Sequence, residues 1–213
     1  MELQVALDCK DVSKALEVLE QIYPYIDIAE LGTPLMYNEG TRAVREIKKR
    51  YPTLKVLADM KLLDGGYDIS KIAYEEGADI VTVAGVTNDS VVAGVVKAAK
   101  EFGGQCFLDL ISVDDIEKRA KEAEELGVDC VGVHTSHDLI EGENQAPMKE
   151  LLRIKSVLTK TKTSISGGIK ASFIDEIVSL EPDVIIVGSG IMEVEDQRAA
   201  AEKIYRAIHK EEA

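Results

Sequence analysis

Eight short β-rich runs, each followed by a stretch with helix signals, set the tightest limit on what this chain can fold into. They are LQVAL at 3–7, IDIAEL at 26–31, KVLAD at 55–59, DIVTV at 79–83, CFLDL at 106–110, CVGVH at 130–134, TSIS at 163–166 and DVIIVG at 183–188. Most are unbroken apolar runs rather than alternating ones. Strands covered on both faces, as in a parallel sheet wrapped by helices, need that pattern. Strand and helix alternating through 213 residues predict a (β/α)8 TIM barrel, one domain over 1–213. This length is near the lower end for the fold, so loops must be short. A doubly wound open sheet is the alternative with the same alternation.

The connectors carry helix boundaries. Asp11 or Ser13 caps a helix running to about Tyr23. Asn38 caps a second, with Ala43, Val44 and Ile47 on one face, and Asn88, Asp114 and Ser172 read as further caps. YEEGADIV at 74–81 and EELGVDCV at 124–131 repeat one device. A helix ends at a glycine able to turn left-handed, and the next strand begins two or three residues later.

Composition excludes more than it assigns. Lys and Arg number 25 against 39 Asp and Glu, a net charge of −14. Nucleic acids and anionic membrane surfaces call for a basic footprint, so neither is an expected partner. No apolar run approaches the roughly 20 residues of a membrane span. MELQVALD enters a strand pattern at once, with no basic-then-apolar segment, so no signal peptide is expected. Cys9, Cys106 and Cys130 lack metal-ligand spacing, and the last two sit in apolar runs. They read as small hydrophobes in a reducing cytoplasm.

In a barrel the C-terminal strand ends share one mouth, where chemistry is done. The first run ends in Asp8, the second in Glu30 and the third in Asp59, with Lys61 and Asp64 just beyond. The fourth offers Thr82, the fifth Asp109 and the sixth His134; the seventh leads into Ser166-Gly167-Gly168 and the eighth into Gly188-Ser189-Gly190. Burying so much charge without a function is costly. The glycine pairs are either plain turns or a phosphate cradle. As a pair after the last two strands they favour the cradle, and hence a phosphorylated small molecule. Glu30 and Asp59 are hard oxygen ligands that suit Mg²⁺. The alternative, an ion pair of one carboxylate with Lys61, is compatible with it. Lys61, one pleat after Asp59, faces the same way. His134 is either a core histidine or a site residue, and its strand-end place beside Thr135-Ser136 favours the site. His137 is loop surface or a neighbour of the site, and His209 is expected to be solvated.

ALD at 6–8, AELGTPL at 29–35, LADMKLLDGG at 57–66, VTVAGV at 81–86, HTSHD at 134–138 and SGGI at 166–169 together carry a resemblance. Over essentially its whole length the chain resembles the orotidine-5'-phosphate decarboxylase superfamily, and within it the 3-hexulose-6-phosphate synthases. The resemblance implies a homodimeric barrel with shared active sites and Mg²⁺ on Glu30 and Asp59. Lys61 would bond substrate oxygens, and Asp64 would reach into the partner's site. Asp8 and Asp109 would help place substrate and Lys61, while Ser166, Gly168, Gly188 and Ser189 would bind the substrate at its phosphate end. The implied reaction is reversible aldol condensation of formaldehyde with ribulose 5-phosphate through an enediolate; His134, directly or through water, is the candidate base, with a metal-ordered water the alternative.

Departures separate the relatives. The metal-free decarboxylase carries a lysine where this chain has Glu30. 3-Keto-L-gulonate-6-phosphate decarboxylase typically has glutamate at Asp109 and arginines at His137 and Ser189, and it remains the alternative activity. A barrel that binds a phosphosugar without turning it over is the alternative from another class.

Overall fold

A computed structural model describes residues 1–139 and 146–209. Eight parallel strands pair in sequence order: β1 (Glu2–Leu7), β2 (Ile28–Leu31), β3 (Lys55–Leu62), β4 (Ile80–Ala84), β5 (Gln105–Asp109), β6 (Cys130–His134), β7 (Lys162–Ser166) and β8 (Val184–Val187). β8 closes onto β1, so the sheet is a (β/α)8 barrel and not an open doubly wound one. Between and after the strands run α1 (Val12–Ile22), α2 (Thr33–Glu39), α3 (Arg42–Arg50), α4 (Gly66–Glu75), α5 (Asp89–Phe102), α6 (Ile116–Leu126), α7 (Met148–Lys155), α8 (Ile174–Ser179), α9 (Ser189–Met192) and α10 (Gln197–His209). Among the described residues no helix is long and apolar enough to cross a membrane.

Alternation sorts each strand into two populations. Residues such as Val5, Val56, Val81, Leu108 and Val131 pack with the helices in one large apolar cluster. Ala6, Ile28, Leu57, Ile80, Phe107, Cys130, Val184 and Ile186 form a second cluster inside the barrel. Both faces are therefore apolar over most of each strand, which is why the runs are unbroken in sequence. At the N-terminal end Glu2 pairs with Lys55 and with Lys162, three side chains from odd-numbered strands. Chemistry is left to the other end.

One strand departs from the pattern. Ala58 pairs with Val81 and Leu62 with Val83, so four steps along β3 match two along β4. The surplus makes a β-bulge, and Lys61 sits in it at φ 42°.

Several boundaries fall as the sequence predicts. Asp11 caps α1, accepting the Lys14 N–H at 2.9 Å. Ala43, Val44 and Ile47 form the buried face of α3. Gly77 and Gly127 take φ of 99° and 86° after their helices. Cys106 and Cys130 are buried, whereas Cys9 is partly exposed.

Others need correction. Asn38 lies inside α2 and donates its amide to the Lys10 carbonyl at 2.6 Å, while α3 starts after Thr41 without a side-chain cap. Asp115, not Asp114, caps α6, accepting the Lys118 N–H at 3.1 Å. Asn88 holds the cap position of α5 without a side-chain bond, and Phe173 rather than Ser172 precedes α8. His209 is half-buried rather than solvated: its ring stacks on Tyr205 at 3.9 Å and its Nε2 lies 3.5 Å from Asp27.

Candidate active site

The C-terminal strand ends surround a cavity of about 680 Å³. Asp8, Glu30, Asp59, Lys61, Asp109, His134, Ser166, Gly168, Gly188 and Ser189 all line it, as do Thr82 and His137. Asp64 does not. It is exposed beyond β3 and accepts the Gly65 N–H at 2.8 Å, away from its own chain's cavity.

Glu30, Asp59 and Asp109 are the buried acids of the cavity. The Gln4 amide donates to Glu30 Oε2 at 2.6 Å. Burial first, then the nearby Asp59 carboxylate, push the Glu30 pKa up to about 8. Asp59 is held on both oxygens. Oδ2 accepts from the Thr33 hydroxyl and from the Lys61 ammonium, each at 2.5 Å, and Oδ1 accepts from the Thr82 hydroxyl at 2.9 Å. In a regular strand the Cα atoms two residues apart would stand about 6.6 Å apart, with side chains parallel. The bulge instead turns Lys61 so that its ammonium meets Asp59 directly, and it also comes within 3.8 Å of Asp109. The two side chains do face one site, through the bulge rather than through the pleat.

Across the mouth, Asp109 Oδ2 accepts the His134 Nδ1–H at 2.9 Å and Oδ1 accepts the Ile111 N–H at 2.9 Å. Burial favours neutral Asp109, but the His134 bond and charge, with Lys61, hold its pKa below the usual range. Burial likewise disfavours charged His134, and the Asp109 bond and charge outweigh it, leaving its pKa above the ordinary value. Lys61 follows the same pattern: burial lowers its pKa, and Asp59 and Asp109 more than restore it. Burial, then Asp59, raise Asp8.

The glycine loops meet at the opposite rim. Gly167 stands at φ 96°, and a Cβ there would lie 2.4 Å from the Thr135 carbonyl oxygen. A Cβ on Gly190 would lie 2.3 Å from the Ile169 carbonyl oxygen. Only glycine lets these loops approach one another this closely.

The donor set bears on a metal. Among the described residues no three or more His, Cys, Asp or Glu gather into a cage. Two carboxylates from neighbouring strands remain, one of them with its pKa raised by burial and by the other's charge. Mg²⁺ uses one or two carboxylates and fills its octahedron with water and substrate oxygens, so the residues present fit it.

Gln4 and Thr33 were not singled out from the sequence. Gln4 had one signal, an amide inside the otherwise apolar run LQVAL. Thr33 had none beyond its place in AELGTPL.

Comparison with known proteins extends these observations. Residues 1–204 match the model of the orotidine 5'-phosphate decarboxylase / HUMPS family. The chain is 46% identical to the 3-hexulose-6-phosphate synthase of Bacillus subtilis over 209 residues, 98% of this chain and 99% of that one. Its backbone superposes on the 3-hexulose-6-phosphate synthase of Salmonella typhimurium with TM-score 0.94, 36% identity and full coverage of both chains. It also shares the fold of 3-keto-L-gulonate-6-phosphate decarboxylase from Vibrio cholerae, with TM-score 0.83, 24% identity, and coverage of 100% of this chain and 99% of that one.

Proposed function

The chain belongs to the orotidine 5'-phosphate decarboxylase / HUMPS family, and from that premise we propose that it condenses formaldehyde with ribulose 5-phosphate to 3-hexulose 6-phosphate, reversibly. The observation that carries this reading is the full-length similarity to 3-hexulose-6-phosphate synthases. It is supported by a cavity in which the Asp109–His134 pair faces Lys61 and two carboxylates. The reaction is of the aldehyde-lyase class.

The backbone N–H groups around Gly168, Gly188 and Ser189, with Ser166, grip the phosphate, and that binding energy holds the sugar's reacting end over Lys61. Asp8 helps to place the substrate. Glu30 and Asp59 would hold Mg²⁺, which when bound polarises a carbonyl oxygen and offsets developing negative charge. Asp109 fixes the His134 ring through Nδ1, leaving Nε2 as the atom that takes the proton from C1 of the sugar. Lys61 donates to the oxygen that becomes negative as the enediolate forms. C1 then bonds to the formaldehyde carbon. The aldehyde oxygen takes up a proton, which His134 returns, so protons balance over the cycle.

A paired assay tests the reading. With Mg²⁺ present, formaldehyde should disappear only when ribulose 5-phosphate is added, and EDTA should stop the loss until Mg²⁺ is restored. Decarboxylation of 3-keto-L-gulonate 6-phosphate without formaldehyde consumption would assign the sister activity. Thermal stabilisation by the sugar phosphate with no turnover would make the chain a binding barrel. Glu30→Gln keeps the Gln4 contact feasible but removes the charge, and should weaken Mg²⁺ binding about tenfold or more by calorimetry. Unchanged binding would remove Glu30 from the ligand set.

The proposed assembly is a homodimer in the cytoplasm. Leu63, Val86 and Ile72 are 62%, 54% and 50% exposed, and the loops of the first two touch where Thr87 Oγ1 donates to the Leu63 carbonyl at 2.7 Å. Asp64 stands beside this apolar patch, placed to enter a second copy's cavity. Leu63→Glu should yield a monomer by light scattering and lose most activity; a monomeric, fully active wild type would overturn the shared site.

A further inference from the structure

We infer that Thr82 is a positioning residue for this reaction, one hydroxyl that fixes Asp59 and the Lys61 backbone together; the inference rests on the synthase reading. Thr82 lies on β4, is 3% exposed and works through one oxygen in two directions. It accepts the Lys61 N–H at 2.8 Å and donates to Asp59 Oδ1 at 2.9 Å. A threonine hydroxyl can do both at once, whereas a valine of nearly the same shape can do neither.

The β3 bulge explains why such a residue is needed. Its surplus residues take Lys61 out of the β3–β4 ladder, so the Lys61 N–H finds a side chain in place of a strand partner. Lys61 is also one of three non-glycine residues with positive φ among those described, at 42°. That conformation persists only where its surroundings over-determine it. The ammonium reaches Asp59 and Asp109 from this backbone position. The hydroxyl that satisfies the strained N–H also aims the second oxygen of Asp59. Thr82 thus ties the carboxylate proposed to hold the metal to the lysine proposed to bind the substrate. It is the one hydroxyl in DIVTV.

Thr82→Val and Thr82→Ser decide the matter, with three readouts: turnover of ribulose 5-phosphate and formaldehyde, circular-dichroism melting, and amide hydrogen exchange of Lys61 by NMR. Thr82→Val should lower kcat roughly 10- to 100-fold, as expected for a buried donor and acceptor left unpaired. KM for ribulose 5-phosphate should stay within about threefold, because the phosphate loops are untouched. Exchange at Lys61 should quicken about tenfold or more while amides of β5 and β7 stay protected. Thr82→Ser should restore kcat to within a few-fold of wild type. Wild-type kcat in Thr82→Val would overturn the inference. So would equal losses in both variants, or a Lys61 amide that is unprotected in the wild type. Should Thr82→Val not fold, wild-type protection at Lys61 and the Thr82→Ser rate still decide. Should the wild type consume no formaldehyde, the synthase reading fails by itself, and Lys61 exchange still reports on the bond.

Discussion

Lys61→Ala is expected to lower kcat by about 10²- to 10³-fold, the range for removing one donor aimed at developing negative charge. Stability should fall as well. Lys61 stands 2.5 Å from Asp59 and 3.8 Å from Asp109, both buried, and it offsets charge on a cluster that includes Glu30. Breaking a fully buried pair costs about 3–5 kcal/mol. The Lys61 side chain is 26% exposed, so solvent screening reduces this to roughly 2–3 kcal/mol. For a chain of this size that is a drop in Tm of about 5–10 °C. The sign with pH is fixed by the acids left behind. Glu30 and Asp8 titrate above the usual carboxylate range, so lowering pH neutralises part of the cluster and the deficit should shrink. Steady-state kinetics and melting between pH 5 and 8 would check both. A variant with near-wild-type kcat would remove Lys61 from the chemistry, and a deficit that grows on acidification would refute the electrostatic account.

Asp109→Asn should produce the second large effect, a loss of about 100-fold or more in kcat with a displaced pH profile. His134 must be neutral to accept a proton, and Asp109 holds its pKa above the ordinary value. The rise of kcat/KM with pH should therefore come late in the wild type. Removing the carboxylate charge lowers the His134 pKa, so in the variant that rise should move to lower pH even as kcat falls. The stability effect follows the same pair. A raised His134 contributes stability below its unfolded pKa that is lost as pH rises through the folded value. A depressed Asp109 contributes stability above its unfolded pKa that is lost as pH falls through the folded value. Asp109→Asn should thus destabilise most between those limits. An unmoved limb of the kcat/KM profile would assign it to another group.

The barrel and most of its mouth were legible from residue types and order. Unbroken runs announced strands covered on both faces, and strand ends such as Asp8, Glu30, Asp109 and His134 fall where a closed parallel barrel must bring them. What escaped depends on geometry that no periodicity encodes. The D-x-K spacing of Asp59 and Lys61 looks like ordinary alternation, yet the structure reaches the same face through a bulge and a positive φ. Gln4 was hidden because a strand residue's inward partner lies on another strand, 26 positions away. Asp114 and Asp115 offer the same side chain at adjacent positions, and only backbone dihedrals choose between them. Asp64 is the opposite case: its own chain gives it no place in the cavity, and only the proposed homodimer would give it one.

The filled barrel interior also governs traffic. Beneath the cavity the strands' inward side chains form an apolar cluster, a packed core and not a pore. Both reactants and the product would therefore use a single doorway, whose rim carries the loops proposed to grip the phosphate. Once the sugar is seated, the aldehyde would have to slip past it to the carboxylate end, and the larger product would back out by the same route. A co-substrate as small as a one-carbon aldehyde suits such a one-door vessel.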